Sequence, residues 1–405
     1  MSAQVPIHLT TSLLLISPRA IKQTIRLSFL RGNRLQIPGI QMKAKLLNYD
    51  ANSAIDQYCA ETTISKDAPY SEVVNWIPMG ERACPGDIEI NVKRVAFNLD
   101  PLGEVLPLFK EGALHEFIQQ GRTTLEHNEE LVRVSDVVVN DNETVLSIQK
   151  CTYHDQVKSN LVLDWEGMHA ANGEGFESTL RGLIAGKYKE NHLPPLNTEL
   201  LANSLGASVL VLYRENERLV PYLPLRSGGN KGNDSKKSGG ANNRIVALHE
   251  GTYAASASGA VRWNPGQSFK DLITSNILRE AEEELGLYYE DFETFEPLAL
   301  SREFVRAGKP QVFFGAITHL SKQEIDARRN HRASRELASG GVVETERKTL
   351  EVNSIYDLKK GDSFGALNTE AVANLHYAKL FAKAYGLGRY ELNSRSKRKS
   401  SGHSA

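Results

Sequence analysis

Four glutamates fall within five positions of "SNILREAEEELGLYY" (residues 275–289): Glu280, Glu282, Glu283 and Glu284, bracketed by Arg279 and Gly286. Carboxylates gathered in this way either line a solvated helix face or hold a hard divalent cation. At roughly 100° per residue, Glu280, Glu283 and Glu284 share an arc of roughly 100°. Ile277, Leu278, Ala281 and Leu285 occupy the neighbouring arc, and Glu282 points elsewhere. Like charges three or four residues apart on a helix cost about a few tenths of a kcal/mol per pair. A helix built only for solubility would intersperse lysines, whereas this one has a single Arg279. Mg2+ takes carboxylates together with waters and substrate phosphates. The acidic flank beside an apolar stripe therefore favours a metal site over a solvated face.

The elements that must position this helix alternate with clear turn signals. "LVRVSDVVV", "NDNE" and "TVLSIQKCTY" (residues 131–153) read as a strand hairpin. "HDQVKSNLVLDW" follows as a helix or helix-like connection. "PPLNTELLANSLG" (residues 194–206) is expected to be a helix capped by Asn197 or Thr198 and stopped by Gly206. "ASVLVLYRENERLVPYLPLR" (residues 207–226) reads as two strands around "RENE". Residues 227–243 are Gly, Ser, Asn, Asp, Lys and Ala, with the composition of a flexible surface loop. "RIVALHEG" is a further strand, and the small residues of "TYAASASGAVRWNPG" lead into the acidic helix. After it come strand-like "EPLALSREF" (residues 296–304) and "PQVFFGAITHL" (residues 310–320). "SKQEIDARR" carries the Ser-x-x-Glu capping-box pattern, and residues 368–386 form an amphipathic helix with an Asn cap and a Gly stop. Upstream, "IEINVKRVAFNL" (residues 88–99) alternates as a half-buried strand, followed by a turn and a short helix.

At 405 residues the chain exceeds one typical core, so two domains are expected. With 48 basic against 49 acidic residues, the net charge of -1 gives no reason to expect a nucleic acid or an anionic membrane as partner. Cys59, Cys84 and Cys151 lie far apart without metal-ligand spacing, which argues against a disulfide framework or a zinc knuckle and for a reducing, cytoplasmic setting. No apolar run approaches the roughly 20 residues that span a bilayer. "LTTSLLLIS" (residues 9–17) reads as a buried strand, not a secretion signal.

"REAEEELGL" (residues 279–287) resembles the second half of the Nudix box, Arg-Glu-apolar-x-Glu-Glu-x-Gly-apolar, at every fixed position. The resemblance implies an α/β fold, a Nudix α/β/α sandwich over residues 131–390. It would be preceded by an α+β domain of unknown role over residues 1–130 and followed by a disordered basic tail, 391–405. It implies Mg2+ or Mn2+ on Glu283 and Glu284, Glu280 as a further ligand or water-orienting carboxylate, and Arg279 orienting a glutamate. The catalytic set carried over is thus Arg279, Glu280, Glu283 and Glu284. The first half of the box departs from the pattern: Asp271 stands where the family has Glu, and Pro265 where it has Gly, with Gly266 one place late.

A second similarity bears on the substrate. Tyr153, Asp155 and Asn160 in "TYHDQVKSN" are spaced as in a divergent Nudix branch that hydrolyses UDP-glucose and UDP-galactose; the same residues also read as a helix cap and a buried tyrosine. Arg226 and Arg244 could flank a phosphate by bidentate contact, or be strand-end surface charges. Glu344, Glu346 and, ranked below them, Glu303 lie where the family often supplies one more carboxylate. "LHEG" lacks the second His of a zincin helix, and "SASGA" lacks the Gly of a nucleophile elbow. The expected activity is metal-dependent hydrolysis of a nucleoside diphosphate linked to another moiety, UDP-sugar first and ADP-ribose-like or dinucleotide next. The competing class is a Nudix-fold nucleotide-sensing module. The partner is a nucleoside diphosphate derivative, and the oligomeric state is left open.

Overall fold

The computed structural model describes residues 40–43, 55–65, 67–77, 89–95, 114–115, 117–118, 123–140, 143–163, 166–169, 176–185, 188–226, 251–264, 266, 268–338, 345–358 and 366–385. Strand β1 (Ile40–Lys43) is followed by the antiparallel pair β2 (Thr63–Ser65) and β3 (Ala68–Asn75), and then by β4 (Glu89–Arg94). The expected hairpin is β5 (Glu130–Val139) and β6 (Glu143–Thr152), leading into the one-turn helix α1 (Tyr153–Val157). Next come β7 (Glu166–His169), β8 (Phe176–Thr179) and α2 (Leu180–Ala185). The strands β9 (Gly206–Glu215), β10 (Arg218–Pro221), β11 (Pro224–Arg226) and β12 (Ala257–Ala260) precede a π-helical turn, Lys270–Thr274, and the acidic helix α3 (Ser275–Leu285). Then follow β13 (Phe292–Glu303), β14 (Lys309–Thr318), α4 (Lys322–Ala338), β15 (Thr345–Thr349) and α5 (Thr369–Ala384).

The main sheet runs β10-β9-β14-β13-β3-β2, with β12 pairing the first half of β9. Strands β9 and β14 lie at its centre as a parallel pair, and both read as near-continuous apolar runs because both faces are covered. On one face α3 and the preceding turn bury Leu272, Ile273, Ile277, Ala281 and Leu285 against Val209, Val211, Val312 and Phe314. On the other, α5 buries Ala371, Leu375, Ala378 and Phe381 against Leu210, Leu212, Phe313 and Ile317. The fold is mixed α/β, with helices on both faces of this sheet.

Local signals account for most element ends. Asn216 and Glu217, at φ 49° and 63°, form the two-residue turn between β9 and β10, since a hairpin's twist asks for left-handed residues there. Ser321 and Glu324 exchange the capping-box bonds at the start of α4 (2.8 and 3.3 Å). Asn368 caps α5 by accepting from the Ala371 N–H at 2.7 Å. Helix α5, expected to be amphipathic, is buried on several sides, with β14, β9 and β3 beneath it and Ile355 and Leu358 in the same apolar cluster.

One expectation is corrected. Residues 194–205 are not helical, because their carbonyls find other donors. The buried Arg133 guanidinium donates to the carbonyls of Leu196 (3.1 Å), Thr198 (2.6 Å) and Leu201 (3.4 Å), and Asn203 Nδ2 donates to Leu196 (3.0 Å). Strands from before residue 130 pair with strands from after it. Strand β3 pairs with β13, Tyr70 opposite Glu303 and Asn75 opposite Ala299, and β4 pairs with β6. The edge of β13 needs a partner, and Ala68 and Tyr70 fill the core beneath α5. Residues 9–17, 227–243, Gly386 and the tail 391–405 lie outside the described residues.

A polar seam crosses the α5 side of the sheet where β13 turns into β14. Buried Lys309 has Nζ 3.5 Å from Gln311 Oε1, and Gln311 Nε2 donates to Glu370 Oε1 of α5 at 3.2 Å. Burial, helped by nearby Arg306 and opposed by Glu303 and Glu370, pushes the Lys309 ammonium down from 10.5 to about 8. Between those values the unfolded chain binds more protons than the folded one at this site, so stability rises with pH across the window, by at most ~1.4 kcal/mol per pH unit. Urea denaturation of wild type and Lys309→Met at the two ends of the window should show this rise in the wild type and its loss in the variant. An equal rise in both would assign it to other groups.

Candidate active site on the acidic helix

Helix α3 ends where the sequence indicates. Gly286 sits at φ 69°, its N–H bonds the Glu282 carbonyl at 2.9 Å, and the Leu287 N–H bonds the Ala281 carbonyl at 3.3 Å. Its start is less regular. The π turn brings Asn276 under the helix, where its Oδ1 accepts from the Arg262 N–H at 3.1 Å and its Nδ2 donates to the Leu272 carbonyl at 2.6 Å. Ile277, Ala281 and Leu285 are fully buried, as the apolar stripe requires.

The three carboxylates are held beside that stripe from two directions. Arg279 Nη2 bonds Asn276 Oδ1 and Glu280 Oε1, both at 3.0 Å, and its Nη1 lies 3.6 Å from Glu283 Oε1. One guanidinium thus bridges two of the glutamates and offsets part of their mutual repulsion. Strand β12 holds Glu284 and packs against Glu280. A Cβ placed on Gly259 would stand 2.6 Å from Glu280 Cδ, so glycine there makes the room in which this carboxylate lies. The Ser258 N–H donates to Glu284 Oε1 at 3.3 Å. Arg226, at the end of β11, reaches the same residue through Nη2 to Ser258 Oγ at 2.9 Å. Glu282 points to solvent, and Glu283 is the most open of the other three.

The approach to the helix is also fixed. Asn264 takes the Gly266 N–H at 2.8 Å and donates to the Asp271 carbonyl at 3.1 Å. Arg94 stacks over the Trp263 ring at 4.5 Å and donates to the carbonyls of Asn264 (3.0 Å) and Gly266 (2.5 Å). Asp271 is exposed within the π turn, and Pro265 lies outside the described residues.

Not every expected site residue joins this group. Asp155 forms a capping box with Thr152, accepting from the Thr152 N–H and hydroxyl at 2.8 Å. Tyr153 is buried against His127 with ring centroids 4.9 Å apart. Burial raises its hydroxyl's pKa. Asn160 is buried and donates to the Arg306 carbonyl at 2.9 Å. In the fold, Asp155 caps the short α1, Asn160 supplies a donor to the 304–308 turn and Tyr153 is buried, so none of the three lies beside the acidic helix. Asp155→Ala is expected to lower stability by about 1 kcal/mol and leave any turnover unchanged, checked by urea denaturation beside an activity assay.

Glu303 is also set apart. Ser301 Oγ lies 2.6 Å from Tyr377 Oη of α5, and alternation along β13 puts Glu303 on that same face, opposite α3. There it pairs with Arg306 at 3.4 Å. Arg244 and Glu344 lie outside the described residues. Glu346 lies in β15, which pairs with β11 and places Thr345 opposite Arg226. Sequence reasoning missed Ser258, Gly259 and Arg94. Ser258 acts on the helix by a backbone group and Gly259 by a missing side chain, and Arg94 comes from a distant strand.

The donor set fits Mg2+ or Mn2+, since every group in it is a hard carboxylate oxygen. Among the described residues no three His, Cys, Asp or Glu side chains are gathered closely enough to hold a metal ion between them, the glutamates of α3 included. A partial set suits Mg2+, which keeps waters and substrate oxygens in its coordination shell. Among the described residues no helix is long and apolar enough to cross a membrane.

No family model and no curated protein matches the chain. Solved structures do resemble it. A mutT/nudix family protein from Listeria innocua is 16% identical, covering 47% of this chain and 96% of its own, with a TM-score of 0.28. DR0079 from Deinococcus radiodurans is 15% identical, covering 35% of this chain and 76% of its own, with a TM-score of 0.20. Likeness at this level is slight, and the functional reading rests on the acidic helix itself.

Proposed function

We propose that the chain is a metal-dependent hydrolase of a nucleoside diphosphate linked to another moiety, UDP-sugar first and ADP-ribose-like or dinucleotide compounds next. The observation that carries this is the flank of Glu280, Glu283 and Glu284, with Glu280 and Glu284 held beside the core by Arg279 and β12 and Glu283 exposed next to them. Glu280, Glu283 and Glu284 would hold the cation. The chemistry such a cation supplies is neutralisation of diphosphate charge and a lowered pKa for water. Arg279 fixes the Glu280 carboxylate in one position. Arg226, which donates to Ser258 Oγ of the strand that holds Glu284, would meet a substrate phosphate by its fork of donors.

A second reading, a nucleotide-sensing module, is favoured by one observation. The Gly266 carbonyl, at the place where the family's loop differs, is already bonded by Arg94, and Asp271 faces solvent. The deciding experiment incubates the chain with UDP-glucose, ADP-ribose and a dinucleoside diphosphate, with and without Mg2+ or Mn2+, and measures released phosphate esters. Turnover that requires metal supports the hydrolase and names its substrate class. No turnover, with a nucleotide still raising the melting temperature, replaces it with the sensor.

A further inference from the structure

The second residue of helix α3 is an asparagine, Asn276, only 6% exposed, whose four hydrogen-bonding positions are all taken. Its Oδ1 accepts from the Arg262 N–H at 3.1 Å and from Arg279 Nη2 at 3.0 Å. Its Nδ2 donates to the Arg262 carbonyl at 3.2 Å and to the Leu272 carbonyl at 2.6 Å. A side-chain amide presents an acceptor and a donor side by side, so it matches both backbone groups of one residue. The oxygen that meets Arg262 is also the one that holds Arg279.

Arg262 belongs to a firmly held part of the frame. The Val132 N–H donates to the Val261 carbonyl at 2.9 Å and the Trp263 N–H to the Glu130 carbonyl at 2.8 Å, so β5 grips the chain on either side of it. The contacts then close into a ring. Asn276 ties Arg262 to Arg279, and Arg279 Nη2 bonds Glu280 Oε1 at 3.0 Å. Glu280 lies against Gly259 of β12, and from Gly259 the strand leads back to Arg262. Anchoring by a neutral acceptor also limits the reach of the guanidinium. Its Nη1 stays 3.6 Å from Glu283 Oε1, beyond a hydrogen bond, so it clamps Glu280 and leaves Glu283 to other partners.

We infer that Asn276 is a positioning residue of the acidic site: by tying Arg279 to the exit of β12, it fixes the Glu280 carboxylate for its part in holding a divalent cation. The inference rests on the metal-dependent reading of that site.

Mn2+ binding followed by electron paramagnetic resonance tests it without relying on turnover. Asn276→Ala should weaken Mn2+ about tenfold when Arg279 is present, as loss of a partner behind a metal ligand does. With Arg279→Ala also in place, the same substitution should change the affinity by less than about twofold. Asn276→Asp keeps the oxygen that Arg279 and the Arg262 N–H need and loses both donated bonds. Its melting temperature should therefore fall while its Mn2+ affinity stays close to wild type, and it decides the matter if Asn276→Ala does not fold. Measuring it in both Arg279 backgrounds subtracts the effect of the added charge. Equal weakening by Asn276→Ala with and without Arg279, or equal weakening by Asn276→Ala and Asn276→Asp, would make Asn276 a structural residue only and overturn the proposal. Unchanged binding in Asn276→Ala would also overturn it. The expected pattern in a chain that turns over no nucleotide would support the proposal and remove the hydrolase reading, whereas a wild type that binds no Mn2+ would overturn both.

Discussion

The Glu283→Gln, Glu284→Gln double variant is expected to lose metal-dependent phosphate-ester release by about a hundredfold or more while melting at or near the wild-type temperature. Glutamine keeps the shape of glutamate and removes its charge, so the two losses can be told apart. Glu283 is exposed, and Glu284 accepts the Ser258 N–H at 3.3 Å, a bond that an amide oxygen can still accept. The helix loses the weak Arg279–Glu283 pair at 3.6 Å, but it also loses repulsion between Glu280 and both neighbours, and these terms are each about a few tenths of a kcal/mol. Catalysis has no such compensation, because amides are poor ligands for a hard cation. The assay is release of nucleoside monophosphate at saturating Mg2+, with thermal denaturation run beside it. Turnover retained in the variant would mean that the flank is only a solvated face, and the hydrolase reading would fall with it.

Much of the scaffold that carries this site was legible because its signals are local. The stripe of Ile277, Ala281 and Leu285 repeats at helical spacing, Gly286 supplies the left-handed stop, and Ser321 with Glu324 and Asn368 mark two further helix starts. The central strands were legible because β9 and β14 are covered on both faces and so are apolar over most of their length. What failed depended on partners far away in sequence. Residues 194–205 have helical composition, yet Arg133, more than 60 positions upstream, takes up their carbonyls. The strand at Ala68–Asn75 gives no sign of which edge it will join, and it joined β13.

The candidate site divides in the same way. Arg279 and the glutamates are neighbours on one helix, so their pairing follows from spacing alone. Asp155 and Tyr153 were ambiguous because a capping carboxylate and a binding carboxylate look alike until the Thr152 N–H is seen 2.8 Å away. Arg226 was named for its charge, and only the fold brings it to Ser258. Arg94 could not be named at all, since its carbonyl partners lie some 170 residues on.

Gly259→Ala is expected to lower kcat/KM by about tenfold to a hundredfold with little change in stability. The added Cβ would stand 2.6 Å from Glu280 Cδ and 2.8 Å from each of its oxygens, closer than atoms pack, so the carboxylate must swing aside. That movement is cheap for the fold. The displaced group is the end of a flexible side chain, and β12 is extended backbone that alanine tolerates. Replacing glycine also restricts the unfolded chain, which offsets strain by about 0.4–1 kcal/mol where the backbone permits it. For the site the same movement is costly. Glu280 leaves the Arg279 contact at 3.0 Å, and a displacement of about 1 Å at a reacting centre can cost a hundredfold in rate. Adding Glu280→Asp to Gly259→Ala withdraws the carboxylate by one methylene and should recover part of the loss, although Glu280→Asp alone lowers activity. Steady-state kinetics over a Mg2+ series for the two single variants and the double variant gives the coupling directly. If the losses simply add, Gly259 does not act through Glu280 and the close approach of β12 to the helix has no part in the chemistry. If the double variant is faster than Gly259→Ala alone, the glycine is there to seat that carboxylate.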